Sequence, residues 1–192
     1  MTAILIRPRR FGDHRGWFTE SYNRVRESAA GIDVDFCQDN HSLSVAPWTL
    51  RGIHFQRMPH AQAKLVRCVR GRIWDVAIDL RRQSPTWLHH VAVELSAENG
   101  HALFVPAGYG HGFVTLEPDC EVIYKVDAYY APAADAGIRW DDPALGIAWP
   151  KAMQAPMLSD KDAALPLLAD AAPDFPYDGK PLRPLDVPDG HP

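Results

Sequence analysis

Several common signatures are missing from this chain of 192 residues. Only three cysteines occur, Cys37, Cys68 and Cys120. The count is odd and has no CxxC spacing, so neither a disulfide framework nor a zinc ribbon is indicated. Long hydrophobic runs are absent. The opening MTAILIRPRR meets arginine after a four-residue apolar run, too short for a signal peptide, and no stretch approaches the roughly 20 apolar residues that cross a bilayer. Positive charge is not in excess: 20 Lys and Arg stand against 24 Asp and Glu, a formal charge of −4, which argues against a general nucleic-acid binder. The expectation is a soluble, cytoplasmic protein in a reducing setting, with neither membrane nor nucleic acid as partner.

Helical periodicity is scarce as well. It is confined to a piece near Asn23 to Ala30 and another from Lys161 to Ala171, where Pro166 limits regularity. What the chain does have is 46% apolar residues, enough for a core, with 17 prolines and 13 glycines spread between short apolar runs. LVRCV and IWDVAIDL, separated by Arg70-Gly71-Arg72, read as a β-hairpin. In the second run Trp74, Val76, Ile78 and Leu80 share one face, expected to be core. Ile73, Asp75, Ala77 and Asp79 share the other, whose two carboxylates call for bulk water or a polar cavity. Further strands are expected at Trp87 to Leu95, Ala102 to Val105, Gly112 to Leu116 and Glu121 to Val126. Such spacing predicts one mostly-β domain, a jelly-roll barrel, over residues 1–172. The proline-rich stretch 173–192 reads as an extended arm or loose tail.

Nine histidines make metal binding the first chemistry to weigh. The stretch Arg51-Gly52-Ile53-His54-Phe55-Gln56 holds no HxH pair, and His89-His90 would point to opposite faces of a strand. His111 stands alone between glycines, so no metal is expected. Acid–base chemistry remains. His54 lies near Arg51, Gln56, Gln62 and Lys64, and an imidazole is a natural base for a carbon acid. A lysine can hold the charge that develops on an enolate oxygen, and a tyrosine (Tyr124, Tyr129 or Tyr130) can return a proton. Read by residue type alone, the same groups equally describe an interior histidine, a surface lysine and tyrosines that pack a barrel.

Eleven segments sharpen that choice. RGIHFQ, HAQAKLVRCVRG, IWDVAIDLR, SPTW, LSAEN, VPAGYGHGF, VIYK, YYAP, GIRWDDP, IAWP and LSDKD follow one another in this order. Together, from about Phe11 to Asp162, they closely resemble the dTDP-4-dehydrorhamnose 3,5-epimerase family. The resemblance implies a double-stranded β-helix of the cupin type, a homodimer, and catalysis with neither metal nor cofactor. It implies as substrate a dTDP-linked 4-keto-6-deoxyhexose, whose C4 carbonyl acidifies the protons on C3 and C5.

By the same resemblance His54 is the proton acceptor, Tyr124 the proton donor and Lys64 the group at the C4 oxygen. Asp162, in the distant LSDKD motif, pairs with His54, although Ser159-Asp160-Lys161-Asp162 also reads as a helix capping box. Arg15 and Arg51 match the diphosphate arginines, whose planar guanidinium suits phosphate oxygens. Glu20 and the turn expected at Gln38-Asp39-Asn40 match nucleotide contacts, and Tyr130 matches an aromatic that stacks on thymine. His111, Lys161 and Asp135 match further substrate contacts, with Asp75 placed to orient His111. Departures are small: Ala63 for a commoner glycine, Tyr109-Gly110 for Phe-Ala, and Asp135 one methylene shorter than the usual glutamate. The resemblance implies inversion at both C3 and C5; the alternatives are inversion at one carbon and a non-catalytic or metal-dependent barrel that binds a sugar nucleotide. The sequence leaves open whether Phe18-Thr19-Glu20 serves a neighbouring subunit.

Overall fold

Short apolar runs broken by glycine and proline become twelve strands in the computed structural model, which describes residues 1–186. The first six are Ile4–Ile6 (β1), Arg10–Asp13 (β2), Gly16–Thr19 (β3), Gln38–Ser44 (β4), Leu50–Gln56 (β5) and Lys64–Arg70 (β6). Then come Arg72–Asp79 (β7), His90–Ser96 (β8), Ala102–Val105 (β9), Tyr109–Thr115 (β10), Cys120–Val126 (β11) and Asp135–Gly137 (β12). Pairing is antiparallel in two five-stranded sheets, ordered β1-β9-β6-β11-β4 and β12-β5-β10-β7-β8, with β2-β3 as a separate hairpin. The two sheets face each other as a jelly roll, the expected class.

The barrel core is built from both inner faces. Val66, Cys68, Leu103, Val105 and Val122 of the first sheet meet Ile73, Ala77, Val93, Leu95 and Phe113 of the second. Fully burying an aliphatic side chain contributes about 1.5–3 kcal/mol, so this layer dominates the hydrophobic stabilisation. Each outer face is covered too. Ile138, Leu145 and Phe175 pack on Ile53, Phe55, Ile78 and Leu80 outside the second sheet. Ile32 joins Leu65 and Phe104 outside the first.

Two expectations need correction and a third is narrowed to one of its alternatives. The runs around Arg70-Gly71-Arg72 do not form a hairpin, because β6 and β7 lie in different sheets. Gly71, at φ 76°, turns the chain from one sheet to the other, and a turn signal between two alternating runs looks alike in both cases. Both faces of β7 are buried: Asp75 and Asp79 are each 0% exposed, alongside Ile73 and Ala77. Their side of the strand is the barrel interior. Gln38, Asp39 and Asn40 open strand β4 and form no turn.

The helices are short. Asn23 caps Arg24–Ala29 (α1) through its side chain, which accepts from the Val25 and Arg26 N–H groups. In place of one helix from Lys161 to Ala171 there are two, Asp160–Ala163 (α2) and Leu168–Ala171 (α3), with Pro166 between them. Residues 173–186 run extended along the barrel, burying Phe175 and Leu182; residues 187–192 of the expected tail lie outside the described residues. Arg81, 2% exposed, gathers this region. It grips Asp79 bidentately at 2.8 Å and reaches Asp178 at 2.7 Å and the Lys180 carbonyl at 3.0 Å.

Candidate active site

Strand alternation decides which side chains enter the barrel. On β6, Lys64 shares the inner face with Val66 and Cys68; on β7, Asp75 shares it with Ile73 and Ala77; on β11, Tyr124 follows Val122. On β10, His111 lies between the core residues Tyr109 and Phe113. Strand β5 joins them through a bulge. Arg51 pairs with Phe113 and His54 with His111, so β5 spends one more residue than β10 over this interval. An unbulged strand would turn Arg51 and His54 to opposite faces; the extra residue puts both beside inward-facing partners. Gly52 makes the close approach possible, since a Cβ there would lie 2.5 Å from Gly112 Cα.

Two adjoining cavities, of about 250 and 300 Å³, share His54, Lys64, Tyr124 and Lys161 in their walls. The first adds Gln38, Asn40, Gln56, Tyr130 and Asp135, and the second adds Arg51, His111, Ser159 and Asp162. The structure therefore brings together eleven of the fourteen residues singled out in the sequence, drawn from both sheets and from α2.

His54 Nε2 lies 2.5 Å from Asp162 Oδ1. Asp162 is buried, and its Oδ2 accepts from Ser159 Oγ at 2.8 Å while its own N–H donates to that hydroxyl at 3.1 Å. Burial pushes the Asp162 carboxyl up, but the hydrogen bonds from His54 and Ser159 outweigh it and hold the group below the usual carboxylate value. An ionised carboxylate only accepts, so Nε2 carries the imidazole proton and Nδ1 is left as the basic nitrogen. The capping box and the dyad are thus one arrangement: Ser159 caps α2, and the third helical residue directs its carboxylate to His54.

Below them lies a second pair. His111 Nε2 is 2.8 Å from Asp75 Oδ1, and both side chains are buried. Burial drives the His111 pKa down against the pull of Asp75, which favours the neutral ring. Asp75 Oδ2 has no hydrogen-bond partner, a costly state for a buried carboxylate unless a cation stands near. Lys64 supplies that charge. Burial lowers its pKa to about 8, with Asp75 and Asp135 pulling it back up, so the ammonium persists at neutral pH. Tyr124 is pushed the other way. Burial raises its pKa, despite Arg51 and Lys161 nearby, and keeps the phenol protonated.

Toward the mouth, Tyr130 OH donates to Asp135 Oδ2 at 2.9 Å, and Lys161 Nζ donates to the same oxygen. Gln56, only 5% exposed, holds the segment before Asp135 in place. Its Oε1 accepts from Ala131 N–H at 2.7 Å and its Nε2 donates to the His60 carbonyl at 2.7 Å. Gln38 Oε1 accepts from Tyr130 N–H at 3.3 Å. The positioning work of Gln56 and Ser159 was not legible in the sequence, where one was only a polar neighbour of His54 and the other only a helix cap.

Three residues of the sequence-based set stand elsewhere. Asp39 faces the opposite side of β4 from Gln38 and Asn40 and ion-pairs with Lys125 at 2.9 Å, because adjacent strand residues cannot share a face. Arg15, at the tip of the β2–β3 hairpin, pairs with Asp13 at 2.6 Å. Glu20 accepts from Arg26 Nη1 at 2.6 Å. Neither lines the cavity around His54 in its own chain.

The arrangement offers a base, a protonated phenol and an ammonium converging on one space, which suits removal and return of a proton next to a carbonyl. Among the described residues, no group of three or more His, Cys, Asp or Glu converges to hold a metal ion. Nor is any helix among them long and apolar enough to cross a membrane.

Comparison with known proteins points the same way. The profile of a family described as dTDP-4-dehydrorhamnose 3,5-epimerase matches residues 2–170. A protein of that name from Sinorhizobium fredii is 51% identical over 173 residues, which are 90% of this chain and 88% of the relative. The crystal structure of a dTDP-4-dehydrorhamnose 3,5-epimerase from Bacillus anthracis, with TDP and PPi bound, superposes with a TM-score of 0.83 at 49% identity, over 85% of this chain and 93% of that one. A dTDP-6-deoxy-D-glucose-3,5-epimerase from Legionella pneumophila, in complex with dTDP-4-keto-L-rhamnose, gives 0.83 at 40% identity, over 90% of this chain and 93% of that one.

Proposed function

We propose the function of this chain from one premise: it belongs to the dTDP-4-dehydrorhamnose 3,5-epimerase family and is an isomerase. It inverts C3 and C5 of dTDP-4-dehydro-6-deoxy-D-glucose, giving dTDP-4-dehydro-L-rhamnose for dTDP-L-rhamnose formation. The observation that carries this reading is the shared cavity of His54, Lys64 and Tyr124, with Asp162 behind the imidazole.

At each carbon, His54 Nδ1 takes the proton α to the C4 carbonyl. The electron pair of the broken C–H bond moves into the ring, and negative charge gathers on the C4 oxygen. The Lys64 ammonium stabilises that enolate; an oxyanion donor of this sort contributes about 2.7–4 kcal/mol. Tyr124 returns a proton to the opposite face of the carbon, and solvent then resets His54 and Tyr124. The carbonyl of the substrate accepts the electrons throughout, so no cofactor is needed.

Arg51 is placed for the diphosphate and Tyr130 for the thymine ring. Arg15 and Glu20 reach the substrate from a second copy of this chain. Support comes from the hairpin that carries Arg15, which leaves Phe11, Trp17 and Phe18 exposed on a monomer and suits a homodimer interface. Glu20 follows directly after β3. A cytoplasmic location fits the three unpaired cysteines, of which Cys37 is exposed.

The test is turnover of dTDP-4-dehydro-6-deoxy-D-glucose in D₂O, with the product examined by NMR. Deuterium at both C3 and C5 supports double epimerisation. Label confined to one carbon contradicts it, and no label at either contradicts proton transfer altogether.

A further inference from the structure

The Ser159 hydroxyl does two things. It accepts the Asp162 N–H at 3.1 Å, which caps α2, and it donates to Asp162 Oδ2 at 2.8 Å. Capping needs only an acceptor, and many residue types fulfil it. The second bond is not part of capping. It occupies one carboxylate oxygen and leaves the other, Oδ1, directed at His54 Nε2, 2.5 Å away.

We infer that Ser159 is a positioning residue of the proton-transfer step, fixing the rotation of the Asp162 carboxylate so that His54 stays in one orientation. This inference rests on the proposed role of His54 as base. A carboxylate on a one-carbon stem at the third residue of a four-residue helix has a soft terminal torsion, which only donors to its oxygens can fix. The Gly52 N–H also donates to Asp162, from the bulge that sets His54 itself. Ser159 therefore closes a small frame: α2 on one side, β5 on the other, and the dyad between them. Without its O–H, the carboxylate rotates, and the Nε2–H is held less well in the tautomer that leaves Nδ1 basic.

Capping and positioning can be separated by substitution. Ser159→Gly keeps a competent helix cap and has no donor, and Ser159→Asp keeps a strong cap but sets a second carboxylate against the first. Ser159→Thr keeps both the cap and the hydroxyl. kcat and KM are measured with dTDP-4-dehydro-6-deoxy-D-glucose, with Tm as the check on folding and His54→Asn as reference. A hydrogen bond to a charged group is worth roughly tenfold or more, so Ser159→Gly lowers kcat about tenfold with KM little changed, and Ser159→Asp lowers it further. Ser159→Thr recovers most of the loss. Wild-type kcat in both the Gly and Asp variants, or a loss confined to KM, overturns the inference. If His54→Asn is inactive in that case, only the role of Ser159 falls. If His54→Asn turns over at the wild-type rate, the dyad reading falls with it.

Discussion

His54 and Asp162 are 108 residues apart in the chain and 2.5 Å apart in space. One stands on a bulged strand of the second sheet and the other on a four-residue helix that the chain reaches only after finishing the barrel. The contact joins the two regions and sets the tautomer of the imidazole.

Asp162→Asn removes the charge and keeps the shape. An amide does not enforce Nε2–H, so kcat falls on the order of 10²-fold, the lower range for a placed acid–base group. The hydrogen bonds to the Asp162 carboxylate also carry a stability signature. The folded carboxyl is held below its ordinary value of 3.8, so the stabilisation is present above that pH and disappears as pH falls through the folded pKa. Acid denaturation followed by circular dichroism should be less steep in the variant below about pH 4.

Lys64 is expected to set the alkaline limb of kcat/KM. In its proposed role the cation stands at the C4 oxygen, and a pKa of about 8 then means that activity declines as pH rises past that value. The fold feels the opposite sign. Burial disfavours the charged form, so Lys64 costs stability at neutral pH, and the cost lessens between pH 8 and 10.5. Lys64→Met should abolish turnover and lower Tm, because it leaves the buried Asp75 carboxylate without the cation beside it. A pH–rate profile and a thermal melt check the two halves.

If Arg15 serves the cavity of the other subunit, two crippled variants rescue each other. Arg15→Ala and His54→Asn should each be weak as homodimers. Co-refolded, they form hybrids in which one site has His54 from one chain and Arg15 from the other, and activity returns. A mixture no more active than its separate components would place Arg15 outside the partner's site.

Arg81→Met leaves Asp79 buried without its guanidinium partner. Breaking a buried pair in this way costs about 3–5 kcal/mol. The expected drop in Tm is about 6–20 °C, at 2–4 °C per kcal/mol. Arg81 lies away from the cavity, so kcat at 20 °C should be near wild type. Because Arg81 also holds Asp178 and the Lys180 carbonyl, proteolysis of residues 173–186 should accelerate in the variant.

Much of the barrel could be read from the chain where apolar residues mark at least one face, as on β9, apolar on both, and on β11, where Val122 and Val126 alternate with Glu121 and Lys125. Where they do not, the reading failed. Strand β4 looks like a turn because its inward residues, Gln38, Asn40 and Ser42, are as polar as its outward ones; they line a cavity instead of a core. The carboxylates of β7 suggested solvent or a polar cavity and meet two different environments, His111 for Asp75 and Arg81 for Asp79. Periodicity cannot tell which partner a buried carboxylate finds. The grouping of His54 with Asp162 came from resemblance to a family, since no local pattern spans that separation. Asp39 was carried along with its neighbours because motif matching runs along the chain, whereas side chains alternate across it.

The central claim is geometric: His54 and Tyr124 address opposite faces of one sugar carbon while Lys64 holds the oxygen next to it. A crystal structure with dTDP-4-dehydro-L-rhamnose bound tests it directly. The account predicts a ring carbon adjacent to the C4 carbonyl lying between the imidazole and the phenol, with the C4 oxygen in hydrogen-bond reach of Lys64 Nζ. A sugar ring seated away from these three groups, or with its carbonyl turned from Lys64, would contradict it.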